Sequence, residues 1–291
     1  MRHPLHCLLL AIALLACACQ SDEKSEPATG EATLRFYVMN FDQTTLSQAP
    51  TRTAEATSLA HLSLGIYDAT TLQPVAEAQT QNAGDQDYGT FSLTLPYGQY
   101  VLVFLGYDGS RTADMTNPKA ICFTDQYVPN LFSHALNLTI DSKTEQSQTV
   151  TLSRAVACFT LACTGGIPSE LAKMEFTAHG GGGTLNTLTG YTDVTQERTY
   201  TFSNLSAYAG KDSMNVNLYS FLPANEATMD FTVKASDAEG NLIRERTFTS
   251  VPMKINQRSR FTGAFFATDA SVQAFALLLD NDVWDEQNAT F

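Results

Sequence analysis

The feature that most constrains the fold of this chain is a period of two in its hydrophobic pattern. In the stretch LRFYV, the apolar side chains of Leu34, Phe36 and Val38 alternate with Arg35 and Tyr37. A half-buried β-strand has this period, because successive side chains point to opposite faces of the sheet. The alternation recurs through the rest of the chain with short turns between the segments, and no stretch keeps a helical period for three turns.

The sequence therefore predicts an all-β protein built from two antiparallel β-sandwich domains in tandem, of a transthyretin- or immunoglobulin-like type. We expect the first domain at residues 33–146 and the second at 147–291, with the polar stretch 141–148 at the boundary. The segment Tyr100–Tyr107 is apolar on both faces, as expected of a central strand. The segment Leu152–Cys163 is interpreted as one strand that opens the second domain.

The N-terminus predicts an export signal at residues 1–18. A basic start is followed by the apolar run Leu8–Ala16, which is too short to cross a bilayer. The run ends in LLACAC, where a small residue precedes each of two cysteines, the pattern of a lipoprotein signal. Cys17 fits the preference of the signal peptidase best and Cys19 stays open as the acylated residue. Residues 19–32 are acidic, without large apolar side chains, and predict a flexible spacer.

Composition and motif searches exclude several functions. With Lys+Arg 17 against Asp+Glu 30 and a net charge of -13, the chain is a poor candidate for binding nucleic acid. The histidines His61, His134 and His179 are too far apart to predict a metal site. The run HGGGG from His179 resembles an oxyanion loop but has no GxSxG partner, so a pliable loop is expected. We therefore predict a protein that is not an enzyme and that has no cofactor.

The cysteines of the proposed domains, Cys122, Cys158 and Cys163, have no disulfide or metal spacing. Cys158 and Cys163 are five residues apart on one predicted strand and should face opposite sides of the sheet. Buried free thiols are expected.

Three segments occur in the order and spacing of a known family. They are LPYGQYVLVF (Leu95–Phe104), LSRAV (Leu152–Val156) and VPMKIN (Val251–Asn256), the last leading to TGAFF (Thr262–Phe266). Together they resemble the fimbrillin and fimbrial-anchor family of Bacteroidetes surface lipoproteins, of the FimB and Mfa type. The stretch QSDE that begins at Gln20 is similar to the acidic tag that directs lipoproteins of these bacteria to the cell surface.

The resemblance implies a fimbrial subunit or anchor: a lipoprotein on the outer membrane that faces outward and supports cell adhesion. Its implied partners are other fimbrial subunits, the outer membrane through the lipid, and a host or bacterial surface receptor. Subunits of the family polymerise by strand exchange, in which one subunit loses its N-terminal strand and an extended segment of a neighbour fills the groove.

Two segments of this chain fit that mechanism. Residues 272–283 form a candidate donor strand with Phe275, Leu277, Leu279 and Val283 on one face; the alternative is the last strand of the domain's own sheet. At the other end, Leu34–Val38 is a candidate removable strand, followed by a polar loop with Arg52 as the candidate cleavage site. Cleavage at Arg52 implies a stalk subunit, whereas an intact loop implies an anchor that stays on its lipid.

A surface glycan-binding lipoprotein of a nutrient-uptake system is the alternative function. It would need exposed aromatic platforms, for which Trp284 is one candidate and a core residue the other interpretation. The sequence names neither the receptor nor the partner subunits.

Overall fold

The chain is built from strands and short turns. The computed structural model describes residues 29–42, 59–143, 145–268 and 275–280. Within these ranges the chain forms strands and two short 3₁₀ helices, at Thr124–Gln126 and Leu205–Ala207, and no α-helix. None of the helical segments in these ranges has the length or the apolar character needed to cross a bilayer. The prediction of an all-β fold is confirmed.

The first half of the described chain is organised around one large sheet. In chain order its strands and those of a small ribbon are β1 (Glu31–Asp42), β2 (His61–Asp68), β3 (Gln79–Asn82), β4 (Thr90–Pro96), β5 (Gly98–Tyr107), β6 (Ala113–Asp114), β7 (Cys122–Phe123), β8 (Leu131–Ile140) and β9 (Gln146–Arg154). Seven of them form a sheet of order β3-β2-β5-β8-β9-β1-β4, and β6 pairs with β7.

This seven-stranded sheet folds over on itself at the contact of β8 with β9. These two strands pair only from Phe132↔Arg154 to Ser133↔Ser153, whereas β5 and β8 pair along their whole length. The inward side chains of the two layers share one core, which includes Leu34, Phe36 and Phe104. The alternation predicted for β1 and β4 is observed as alternating buried and exposed side chains.

The second half of the described chain forms two four-stranded sheets. Its strands are β10 (Ala157–Cys163), β11 (Lys173–His179), β12 (Arg198–Phe202), β13 (Met214–Ser220), β14 (Glu226–Ser236), β15 (Leu242–Lys254), β16 (Arg258–Gly263) and β17 (Ala276–Asp280). The sheets have the orders β13-β10-β16-β17 and β12-β11-β14-β15. Side chains from both sheets form one core, in which the rings of Phe159 and Phe231 stack at 4.1 Å between centroids.

The segment Leu152–Cys163 was predicted to be one strand, and this prediction is wrong, because the segment contains parts of two strands. β9 ends at Arg154 and belongs to the seven-stranded sheet, and β10 begins at Ala157 in a different sheet. The chain changes sheets at residues 155–156, so the predicted boundary at 146/147 falls at the start of β9. Hydrophobicity did not reveal this change, because Ala155 and Val156 and the first residues of β10 after them are all apolar and buried.

A third apolar cluster joins the two halves. It contains the second face of β5, with Val101, Val103 and Leu105, together with Cys158 and Phe221 from the second half. This explains why the segment Tyr100–Tyr107 is apolar on both faces, as predicted. Hydrogen bonds between the main chains of Ile121 and Leu185, 2.8 and 2.9 Å long, add to the junction.

Candidate strand-exchange interface

The N-terminal strand β1 lies between two other strands. It pairs antiparallel with β4, from Glu31↔Pro96 to Tyr37↔Thr90. On its other side it pairs parallel with β9, from Leu34↔Gln146 to Asp42↔Ser153, with an irregularity between Val38 and Asn40. Removal of β1 would therefore expose a groove with unpaired main-chain groups on both walls.

The inward face of β1 forms part of the core. The residues on this face are almost fully buried, with exposed fractions of 1% for Ala32, 0% for Leu34, 2% for Phe36 and 7% for Val38. The side chains that alternate with them, among them Thr33 and Arg35, face solvent. Burial of a large apolar side chain stabilises a fold by about 1.5–3 kcal/mol, so three large side chains bind this strand strongly to the sheet.

An aromatic cluster surrounds the middle of β1. Phe36 lies opposite Phe91 of β4 in the strand register, and its ring centroid is 5.3 Å from that of Phe104 on β5. Phe91 and Phe104 are themselves 6.1 Å apart in an edge-to-face arrangement. Ring pairs of this kind add about 0.5–1.5 kcal/mol to the burial of their area.

The candidate cleavage site Arg52 lies outside the described residues, but both flanks of its segment are described. Before it, β1 continues to Asp42 beside Ser153. After it, Leu59 is buried, its carbonyl accepts a hydrogen bond from the Tyr88 hydroxyl, and the Ala60 N–H donates to Asp108 Oδ1 at 3.0 Å. Burial raises the pKa of the Asp108 carboxyl, partly offset by that hydrogen bond.

The candidate donor segment ends the sheet β13-β10-β16-β17. β17 pairs antiparallel with β16, and among the described strands it has no partner on its other edge. The side chains of Leu277, Leu278 and Leu279 are 43%, 56% and 46% exposed. Three exposed leucines on a short, unpaired edge make a strand that can pair with another chain.

The segment is attached to the fold through Phe275 and the turn before it. The Phe275 ring lies 5.0 Å from that of Phe248 and 5.8 Å from the Arg246 guanidinium. Arg246 donates from Nε to the Phe265 carbonyl at 2.8 Å and from Nη2 to the Ala267 carbonyl at 2.9 Å. Arg244 donates to the carbonyl between them, that of Phe266, at 3.3 Å. Burial and, to a smaller extent, Arg244 lower the pKa of Arg246.

Neither arginine is among the residues that were predicted from the sequence to be functional. A signal was available, because a period of two places Arg244 and Arg246 on the same strand face as Phe248, which is buried. Two charged residues on an inward face indicate carbonyl or carboxylate partners at the edge of a sandwich.

A cleft of about 520 Å³ separates the ends of β15 and β17. Its lining includes Pro252, Met253 and Lys254 from β15 and Leu279 from β17. Lys254 is paired with Glu226 at 2.6 Å at the rim. β15, an edge strand of one sheet, and β17, an edge strand of the other, therefore border the same cleft.

Several predicted residues fall outside the described ranges: the lipidation candidates Cys17 and Cys19, the cleavage candidate Arg52, the donor residue Val283, and Trp284. The structure brings Phe275, Leu277 and Leu279 together on β17 and its approach, and places them in a different sheet from β1.

The three cysteines of the described chain differ in how deeply they are buried. Cys158 and Cys163 are buried in different apolar clusters, as expected for opposite strand faces, whereas Cys122 is only half-buried. Burial raises the pKa of Cys158 to about 11 and that of Cys163 to about 12.

The loop after His179, which the sequence predicts to be pliable, is closely packed. A Cβ atom added at Gly182 would lie 2.2 Å from Thr192 Oγ1. The described residues contain no group of three or more His, Cys, Asp or Glu side chains that could bind a metal.

Comparison with known families and structures agrees with this architecture. Residues 27–287 match the model of a family described as "Family of unknown function (DUF6562)". The chain belongs to this family. No curated protein matches the sequence significantly.

Two solved structures from Bacteroides share the fold at low sequence identity. One, from Bacteroides ovatus ATCC 8483, is described as a "putative adhesin" and is 11% identical to this chain. The match covers 76% of this chain and 83% of the adhesin chain, with a TM-score of 0.51. The other, from Bacteroides thetaiotaomicron VPI-5482, is described among "putative polysaccharide binding proteins (DUF1812)" and is also 11% identical to this chain. The match covers 89% of this chain and 100% of the other chain, again with a TM-score of 0.51.

A weaker match is the fimbrial anchor protein Mfa2 from Porphyromonas gingivalis, which is 10% identical, covers 87% of this chain and 98% of its own, and has a TM-score of 0.42. The two structures with TM-scores of 0.51 come from Bacteroides and share the fold of this chain, so the expected resemblance is confirmed at the level of the fold. These three descriptions name adhesive, polysaccharide-binding and fimbrial proteins and no enzyme.

Proposed function

We propose that this protein is a fimbrial subunit or anchor lipoprotein that assembles with other subunits by β-strand addition and supports cell adhesion. The observation that carries the proposal is the position of β1. A strand close to the N-terminus lies between β4 and β9, with its inward side chains buried in the core. Its loss would leave a groove that an extended segment of another subunit can fill, with hydrogen bonds on both sides.

We further propose that β17, with the residues after it, is the strand that this subunit donates. Support comes from its position at the edge of a sheet and from the exposure of its leucines. Few large apolar side chains are exposed in the described ranges, and three of them are consecutive on this strand. In the alternative interpretation, β17 stays in the position it has here, paired with β16.

The proposed lipid anchor rests on the sequence alone. Cys17 or Cys19 would carry the lipid at the outer membrane, and the spacer before β1 would separate the lipid from the fold. The spacer predicted at residues 19–32 ends earlier, because Glu31 and Ala32 belong to β1 and Ala32 is 1% exposed. Several acyl chains on one cysteine make such an anchor durable, whereas a single chain binds a membrane only marginally. We propose two domains, with the boundary at residues 155–156, where the chain changes sheets, in place of 146/147.

Proteolysis tests the proposal and separates its two forms. If the protein is a stalk subunit, treatment of the full-length protein with trypsin should give an early cut after Arg52, followed by the loss of β1 and by uptake of a strand supplied by another subunit. An anchor should resist the cut at Arg52 and stay in the membrane fraction. A protein cut after Arg52 that neither releases β1 nor accepts a strand from another subunit would contradict assembly by strand addition.

A glycan-binding lipoprotein is the second candidate, favoured by the neighbour described as polysaccharide binding. In the described ranges, however, every exposed large apolar side chain is aliphatic, so these ranges present no exposed aromatic platform. Tight binding of a polysaccharide that is lost in Trp284→Ala and kept in Tyr191→Ala, together with failure to form polymers, would favour this candidate.

A further inference from the structure

The groove that β1 occupies has four successive positions for inward side chains, filled here by Ala32, Leu34, Phe36 and Val38. We call them the Ala32, Leu34, Phe36 and Val38 subsites. Each holds a side chain that is at most 7% exposed. Because the sheet fixes the main chain of any strand in this groove, the size and polarity of every second side chain decide which strand fits.

The Phe36 subsite is the largest of the four and has aromatic walls. Phe91 lies opposite on β4, and the ring of Phe104 lies beneath at 5.3 Å from that of Phe36. An aliphatic or small side chain here would leave a cavity between the two rings, and a polar one would bury groups among apolar side chains.

The Ala32 subsite, in contrast, is small. Ala32 lies opposite Leu95 and is 1% exposed. Just before it, the Gly30 carbonyl accepts a hydrogen bond from the Tyr97 N–H, and a Cβ on Gly30 would lie 2.6 Å from the Tyr97 ring. This end of the groove therefore favours small side chains, since larger ones would displace the Tyr97 ring or strain the strand.

The C-terminal segment of this chain does not match these subsites. Its only aromatic residue between 271 and 283 is Phe275. If the segment runs in the direction of β1 with Phe275 in the Phe36 subsite, Gln273 enters the Leu34 subsite and its amide is buried. In the opposite direction, Leu277 fits the Leu34 subsite, but Leu279 then overfills the Ala32 subsite.

We propose that the β1 groove selects a strand from a different subunit, one that presents a small residue, a leucine, an aromatic residue and a β-branched residue at alternate positions in the direction of β1. This inference rests on the proposed assembly by strand addition. Copies of this protein consequently do not join to one another, and the chain accepts its donor strand from a partner of another sequence.

Strand displacement from the full chain tests the selectivity. A specific protease site placed within residues 43–58 is cut, so that β1 stays bound by packing alone. Synthetic peptides are then added in excess, and release of the N-terminal fragment is followed by native mass spectrometry. The peptides are β1 itself (Glu31–Asp42), its variants Phe36→Ala, Ala32→Leu and Arg35→Ala, and the segment 271–283 of this chain.

The β1 peptide and its solvent-facing control Arg35→Ala should displace the fragment equally well. The Phe36→Ala peptide should be weaker by about a hundredfold or more, as the cost of a Phe→Ala change in a core implies. The Ala32→Leu peptide and the segment 271–283 should also be markedly weaker. Equal displacement by the β1 and Phe36→Ala peptides, or by the segment 271–283, would overturn the inference alone. Failure of every peptide, β1 included, would overturn the proposed function and the inference with it.

Discussion

A disulfide between β1 and β4 should block strand exchange. Thr33 and Thr94 are partners across the two strands, both exposed, and their hydroxyl oxygens are 3.5 Å apart. Replacement of both by cysteine places the thiols at positions compatible with a disulfide, which needs Cβ atoms about 3.5–4.5 Å apart. The change would tie β1 to the sheet without altering an inward side chain.

The stabilisation follows from the loop that the disulfide closes. About 60 residues separate the two positions, and in the uncut chain a loop of that length corresponds to about 4 kcal/mol in the chain-entropy model. After a cut within residues 43–58 the loop is open, and the disulfide acts as the covalent link between β1 and the rest of the fold. Cys158 and Cys163 should not interfere, because both are buried and their pKa is raised to about 11 and about 12. The half-buried Cys122 is replaced by serine in the starting protein. Cys7, Cys17 and Cys19 are replaced by serine in the starting protein.

The assay compares the oxidised and reduced forms of Thr33→Cys/Thr94→Cys after a cut within residues 43–58. The oxidised form should keep β1 and should not exchange it for added β1 peptide, and a reductant should restore the exchange. The matched control is Thr232→Cys/Thr247→Cys, an equivalent threonine pair on β14 and β15 with hydroxyls 3.2 Å apart. This control should leave exchange unchanged. Equal exchange by the oxidised and reduced β1–β4 variant would refute the reasoning.

Three further predictions test the packing around the interface. Leu34→Ala should lower the free energy of unfolding, measured in urea, by about 2–5 kcal/mol. The solvent-facing control Arg35→Ala should change it by less than about 0.5 kcal/mol. If the two variants lowered the free energy of unfolding by similar amounts, β1 would contribute little to the core. Arg246→Ala should speed amide hydrogen exchange in residues 264–268 and in β17 relative to the exposed control Glu245→Ala, since three carbonyls accept hydrogen bonds from the two arginines. Unchanged exchange would show that the pairing of β17 with β16 and the contact of Phe275 with Phe248 hold the segment without these bonds. Iodoacetamide at pH 8 should leave Cys158 and Cys163 unmodified in the folded protein and label them in urea, because the thiolate fraction is small so far below their pKa; rapid labelling of both in the folded protein would contradict their burial.

Much of the local structure could be predicted from the sequence. The alternation in 34–38 identified the residues that point inward, and the apolar character of Tyr100–Tyr107 identified a strand covered on both faces. The buried positions of Cys158 and Cys163 also followed from local patterns. These features depend only on neighbouring residues and on the geometry of a strand.

The break between β9 and β10 could not be read from the same pattern. Ala155 and Val156 are buried, although they belong to no strand, because they lie in the apolar cluster between the two halves. An apolar run has the same appearance whether one sheet continues or a second begins. For the same reason the roles of Arg244 and Arg246 became evident only when their carbonyl partners at 265–267 were placed beside them.

Strand formation and the inward face of a strand such as β1 can be predicted from the sequence, since both are consequences of side-chain alternation within a few residues. The position of β1 between β4 and β9 could not be predicted in this way, because the residues of those strands are about 60 and about 110 positions away in the chain. Strand partners that distant are selected by the packing of the whole core after the cost of closing the loops between them. The groove, and with it the proposed site of strand exchange, is a product of that selection.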